Sequence, residues 1–176
     1  LRDANGNLVL VLHQLGNHGP AYFRRYPAAF RRFTPTCDDE DLSKCSREQI
    51  ANSYDNALLY TDHMLARSID LLKAFEPRYD SALLYVSDHG ESLGEKGLYL
   101  HGMPYAIAPT EQKKVPMVMW LSEGFAARNQ LDLKCLRSEA DKPVAHDHLF
   151  HTVLGLLDVD TAVRDDALDI TTPCRG

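Results

Sequence analysis

Asp88 and His89 stand side by side at the end of the apolar run Ala82-Leu83-Leu84-Tyr85-Val86, with Gly90 and Glu91 directly behind them. An adjacent carboxylate and imidazole offer one oxygen and one nitrogen donor, a pair that suits zinc. Gly90 lets the backbone turn sharply, so that two neighbouring side chains can reach one point. The same residues also fit an ordinary turn after a strand, since Asp and Gly both favour turns. The imidazole between two carboxylates favours the metal.

Other histidines carry related chemistry. His13 ends a first apolar run, residues 8–12, and His18 lies in the loop beyond it. His101 lies in the glycine-rich stretch that follows Glu91. Each is a candidate ligand or acid–base group, set against the simpler role of a satisfied loop histidine. His146, His148 and His151 gather at a last helix, where capping and packing account for them, and His63 falls off the apolar face of a long helix. No G-x-S-x-G elbow and no P-loop occurs, so no activated nucleophile accompanies the ligands. Two adjacent ligands do not fill a tetrahedral zinc site. Part of the machinery is expected upstream.

These groups need a scaffold, and the apolar pattern supplies one. Residues 8–12, 82–86 and 115–121 read as buried strands. Between the first two, Ser46 and Gln49 form a capping box that opens a helix. Ile50, Tyr54, Ala57, Leu58, Thr61, Leu65, Ile69 and Leu72 then recur at helical spacing as one apolar face, until Pro77 ends it. A strand–helix–strand order predicts parallel pairing. Ligands in such sheets sit at the carboxyl ends of the strands, where Asp88, His89 and the loop bearing His13 and His18 would open together. A last helix is predicted from about Asp147, with Leu149, Val153, Leu156 and Leu157 facing the core. The expected class is α/β, a mostly parallel sheet flanked by helices.

The chain has 176 residues, 44% hydrophobic and 25% charged, enough for one soluble domain with a sizeable core. Its net charge of −6 argues against general nucleic-acid binding. Phe23-Arg24-Arg25-Tyr26 and Phe30-Arg31-Arg32-Phe33 mix basic and aromatic residues. Such a mix contacts anionic headgroups, or is simply a solvated basic surface with its rings packed inward. No apolar stretch is long enough for a membrane span. The chain opens without Met, on what reads as a surface turn, and is expected to be a fragment of a longer protein. Cys37 and Cys45 flank an acidic loop that a disulfide could staple, and no CxxC zinc pair is present. An oxidising compartment follows, although four cysteines allow three pairings or none.

Three longer segments sharpen this. His13-Gln14-Leu15-Gly16-Asn17-His18-Gly19-Pro20-Ala21-Tyr22, Ser87-Asp88-His89-Gly90-Glu91-Ser92-Leu93-Gly94-Glu95 and Tyr99-Leu100-His101-Gly102-Met103-Pro104-Tyr105-Ala106 occur in that order. Together they resemble the phosphoethanolamine transferases that modify lipid A, a family that includes the mobile colistin-resistance enzymes and belongs to the alkaline phosphatase and sulfatase superfamily. The resemblance implies an inner-membrane enzyme with an N-terminal membrane domain and a periplasmic, zinc-dependent catalytic domain. Residues 1–176 would be the C-terminal part of that catalytic domain. Asp88 and His89 would be zinc ligands. His18 and His101 would contact the phosphorylated substrate or a second metal, with Glu91 in a supporting role. Cys37 and Cys45 match a periplasmic disulfide, and pairing Cys135 with Cys174 would tie the tail down. The implied donor is phosphatidylethanolamine, the acceptor lipid A, and the nucleophile a threonine upstream of this chain, which alone should be inactive. A related sulfatase-like hydrolase or phosphoglycerol transferase is the nearest alternative. A non-catalytic zinc- or lipid-binding module is the alternative of another class.

Overall fold

The computed structural model describes residues 5–176. They form two compact units, the first made of the chain up to Leu65 with Glu91–Gln112, the second of Ala66–Gly90 with Lys113–Gly176.

Helix α1 is Arg47–Ala74, and its residues up to Leu65 organise the first unit. The Ser46 backbone N–H donates to Gln49 Oε1 at 2.8 Å, and the Gln49 N–H donates to Ser46 Oγ at 3.2 Å, so the predicted capping box is present on both sides. Ile50, Ala57 and Thr61 are buried along the expected face, but Leu58 is 46% exposed. Its place is taken by the polar Ser53 and Asn56, both fully buried, because the segment packed on this face is irregular chain rather than a sheet. Irregular backbone needs partners for its polar groups. Asn56 Oδ1 accepts from the N–H groups of Arg32 and Phe33, both at 2.8 Å, and its Nδ2 donates to the Phe33 carbonyl at 2.9 Å. Ser53 Oγ accepts from the Cys37 N–H at 2.8 Å. A Cys37–Cys45 disulfide closes the acidic loop, and Tyr22, Cys37 and Ile50 form a small core with Leu42, Tyr54, Leu93 and Leu100 against it.

In the second unit, strand β1 is Ala82–Val86. Two short strands of the first unit follow, β2 (Ser92–Leu93) and β3 (Tyr99–Leu100), and helix α2, Thr110–Lys113. The glycine-rich stretch expected as an open loop is thus partly a hairpin. Gly94 turns it with φ of 108°, where a Cβ would also lie 2.9 Å from the Tyr99 hydroxyl. Strand β4, Met117–Leu121, then pairs antiparallel with β1, Ala82 opposite Leu121 and Val86 opposite Met117. Helices α3 (Glu123–Arg128), α4 (Leu133–Glu139) and α5 (Asp147–Leu156) complete the unit. Ala126, Leu131 and Leu156 form its core with Leu84, Met119 and Leu121. On α5, Leu156 is buried as expected. Val153 and Leu157 are exposed, because Thr152 and Gly155 turn inward against Ile170 and Asp169.

The mostly parallel sheet is not what these residues form: among the described residues both ladders are antiparallel. The chain returns from β1 to β4 without a full helical crossover, which an antiparallel pair does not need. Residues 8–12, expected as a buried strand, carry no strand assignment, and Val11 is 88% exposed. An apolar run is buried only where neighbours cover it, and none of the described strands pairs with this one. The tail, without periodicity in sequence, is pinned by chemistry instead. Cys174 is disulfide-bonded to Cys135, and the buried Asp169 accepts from Arg164, the Thr171 N–H and the Thr171 hydroxyl. Among the described residues no helix is long and apolar enough to cross a membrane.

Candidate active site

In the first unit the His18 loop is tied to α1. Thr61 Oγ1 donates to Asn17 Oδ1 at 2.8 Å, and Arg25 Nε donates to the His18 carbonyl at 2.9 Å. One residue on, the Gly19 N–H donates to Glu91 Oε1 at 3.1 Å. The Tyr22 hydroxyl donates to the other oxygen, Oε2, at 3.2 Å. His101 Nδ1 lies 3.1 Å from Oε1, and the Glu91 side chain is only 4% exposed. The His18 and His101 rings meet edge to face with centroids 4.8 Å apart. The fold thus brings His18, Glu91 and His101 together from three sequence segments, with Tyr22 beneath them. Burial and then the Glu91 charge push the Tyr22 hydroxyl well above its usual range, which keeps it a proton donor.

In the second unit β1 delivers Asp88 and His89 as the sequence predicts. The Ser87 hydroxyl donates to the His89 carbonyl at 2.8 Å and the His89 N–H to Asp88 Oδ1 at 3.1 Å, which fixes the turn. His89 Nε2 then stands 3.9 Å from Asp88 Oδ1. A tetrahedral zinc with bonds of about 2.0–2.2 Å sets nitrogen and oxygen donors roughly 3.4 Å apart, so this pair has the donor types for zinc and would close by about half an ångström, through a small turn of the exposed Asp88 side chain, to share one ion. His146 Nε2 donates to the Ser87 carbonyl at 2.8 Å and so supports the strand end from the residue that precedes α5.

The ring nitrogens of these histidines meet different partners. A carbonyl oxygen only accepts. His18 Nδ1 faces the Gly19 carbonyl at 2.6 Å and His89 Nδ1 the Gly90 carbonyl at 3.0 Å, so both carry their proton on Nδ1. His101 presents Nδ1 to a carboxylate oxygen and does the same. A histidine whose Nδ1 is engaged in this way leaves Nε2 for a metal or a proton, as carbonyl and carboxylate partners do for metal-ligating histidines. His151 is the reverse, its Nδ1 accepting from the Asp165 N–H and tying the tail to α5, whereas His148 Nδ1 lies 3.1 Å from both the N–H and the carbonyl of Ala145 beside the start of that helix. His63 packs on Phe30 with centroids 4.9 Å apart. His13 is exposed and takes no part in the Glu91 cluster. Tyr22 and the Asn17–Thr61 bond support the site, and nothing in the sequence pattern marks either as a partner of it. Only the position of Asn17 and Tyr22 inside the first quoted segment hinted at them.

The family described as Sulfatase matches residues 1–159. Phosphoethanolamine transferase EptA of Escherichia coli (strain K12) is 49% identical over 176 residues, 99% of this chain and 32% of the relative. Phosphatidylethanolamine transferase Mcr-2 of Escherichia coli is 50% identical over 162 residues, 92% of this chain and 28% of the relative. Among solved structures, the integral membrane protein lipooligosaccharide phosphoethanolamine transferase A from Neisseria meningitidis superposes with a TM-score of 0.87 at 46% identity. It covers 93% of this chain and 31% of its own. The chain therefore spans about a third of the length of these relatives.

Proposed function

Since this chain belongs to the sulfatase family, we propose that it is the C-terminal part of a zinc-dependent catalytic domain that transfers phosphoethanolamine from phosphatidylethanolamine to lipid A. The observation that carries the reading is the His18–Glu91–His101 cluster, found within the segments that resemble such transferases. Relatives named for this transfer, at about half identity, support it.

Asp88 and His89 are the residues that would hold zinc, which supplies Lewis-acid stabilisation of charge on the phosphoryl oxygens. The remaining work falls to side chains. A threonine elsewhere in the whole protein attacks the donor phosphorus, and the bond to diacylglycerol breaks. Nε2 of His101 or His18 takes up the threonine hydroxyl proton and passes it to the departing diacylglycerol alkoxide. An oxygen of a lipid A phosphate then attacks the same phosphorus and releases the threonine, with a histidine Nε2 taking up the acceptor's proton where it carries one. The added ammonium group lowers the negative charge of the lipid surface, which weakens attraction of cationic peptides such as colistin. Two disulfides suit a periplasmic location, with the whole protein anchored in the inner membrane.

The test is to express the full-length protein in cells lacking other such transferases and analyse lipid A by mass spectrometry. Addition of phosphoethanolamine, lost on Asp88→Ala, is expected. Release of free phosphate or sulfate without transfer would favour the hydrolase, and unmodified lipid with retained zinc would favour a non-catalytic binding module.

A further inference from the structure

We propose that Tyr22 is a positioning residue for this transfer: it locks the Glu91 carboxylate, which in turn orients the His101 ring and presents Nε2 as its acid–base atom. The inference rests on the transferase reading above for its chemistry, and on the following geometry for its substance.

Glu91 is the hub. Oε1 is shared by the Gly19 N–H and His101 Nδ1, each at 3.1 Å, and Oε2 takes the Tyr22 hydroxyl at 3.2 Å. With both oxygens engaged and the side chain 4% exposed, Glu91 acts through His101 rather than by touching substrate. A carboxylate held at one oxygen still swings about its last torsion, which is broad for Glu. Held at both, it presents Oε1 to Nδ1 in one orientation. Tyr22 is suited to this because it cannot move: it is 1% exposed and packs edge to face on Tyr54 with centroids 5.6 Å apart.

His101 needs such a hold. It leaves β3 at Leu100, whose φ is 62°, and precedes Gly102 at 104°, with exposed chain from residue 101 to 107. The backbone there is exposed, and the bond from Nδ1 to Glu91 holds the ring from its buried side. His18 stands edge to face on that ring, its plane turned 74° from it, so its contact depends on where the His101 ring is held. A chain of contacts therefore runs from a buried phenol to two exposed imidazoles.

The experiment is Tyr22→Phe in the full-length enzyme, which removes one oxygen atom and keeps the buried ring. Partners at this remove typically govern activity by about 10- to 100-fold, so kcat should fall by that range with KM little changed. Zinc content should equal that of the parent. If Tyr22 acts only through Glu91, adding the change to Glu91→Gln should lower kcat by less than about twofold more. Ring 15N spectra of His101 report the tautomer without any turnover: the parent should be protonated at Nδ1, and Tyr22→Phe should show a mixture. Parent-like kcat in Tyr22→Phe overturns the proposal. So does a full further loss on Glu91→Gln, or a parent His101 protonated at Nε2. The parent spectrum decides even if the variant folds poorly. A parent enzyme that transfers nothing while showing the Nδ1 tautomer sinks the transferase reading and leaves the Tyr22–Glu91–His101 linkage standing.

Discussion

Replacing Gly19 with Ala tests how tightly the candidate site is built. A Cβ on Gly19 would lie 2.5 Å from Leu100 Cδ2, 2.7 Å from the Tyr22 hydroxyl oxygen and 2.8 Å from Tyr22 Cζ. The leucine methyl is the end of a flexible side chain and can swing aside. The tyrosine ring is buried against Tyr54 and cannot do so without moving its neighbours. Overpacking of this kind costs about 1–3 kcal/mol. Displacing the Tyr22 hydroxyl from Glu91 removes a hydrogen bond to a charged group, which adds about 1 kcal/mol or more. The sum, about 2–4 kcal/mol, corresponds to a fall in Tm of about 4–16 °C for a chain of 176 residues that unfolds as one. Thermal unfolding by circular dichroism measures it, and the transfer assay at a temperature where the variant is folded should show reduced kcat. A comparison variant, Gly97→Ala, meets no atom within 4 Å and is strained only by its φ of 76°, so it should cost about 1 kcal/mol and leave kcat alone. A Gly19→Ala protein with parent Tm and parent kcat would refute the close packing of Tyr22 under Gly19.

Asp88→Ala should cost little stability, since the side chain is 81% exposed, yet abolish zinc retention and transfer; metal analysis after dialysis and the lipid A assay read the two effects. Tyr22 should make the fold alkali-sensitive. Its folded pKa is raised, so above about pH 10 the unfolded chain loses a proton that the folded one keeps, and stability should fall by about 1.4 kcal/mol per pH unit. Denaturant melts from pH 9 to 11 check this, and Tyr22→Phe should flatten the decline. Opening the Cys135–Cys174 bridge, 39 residues apart in sequence, should destabilise by about 4 kcal/mol, against about 2.5 kcal/mol for the 8-residue Cys37–Cys45 link, as the denaturant midpoints of the two double-serine variants would show. Asn56→Ala strands two N–H groups and one carbonyl in the interior and should cost about 3 kcal/mol or more in the same assay.

What the sequence disclosed was local. The Ser46–Gln49 box, the length of α1 and the turn at Asp88 and His89 each depend on residues a few positions apart, and each is present as read. The direction of strand pairing depends on which neighbours a strand meets, and alternation of elements pointed to parallel ladders where β1 and β4 run antiparallel. Tyr22 escaped notice for the same reason. It is 69 positions from Glu91, and nothing near it in the chain marks a tyrosine as the anchor of a carboxylate. Glu91 and His101 were legible as chemistry but not as partners, because ten residues and a hairpin separate them.

The exposed run at residues 8–12 has a practical side. Leu8-Val9-Leu10-Val11-Leu12 has no charge, no proline and strong strand-forming residues, and every one of the five is about half or more exposed. A segment of that composition that pairs with none of the described strands is a template for addition of strands from other molecules. Material of this chain left with that run uncovered should therefore stick to itself as concentration rises, and a lysine at Val11, the most exposed of the five, would be the smallest change to keep it in solution.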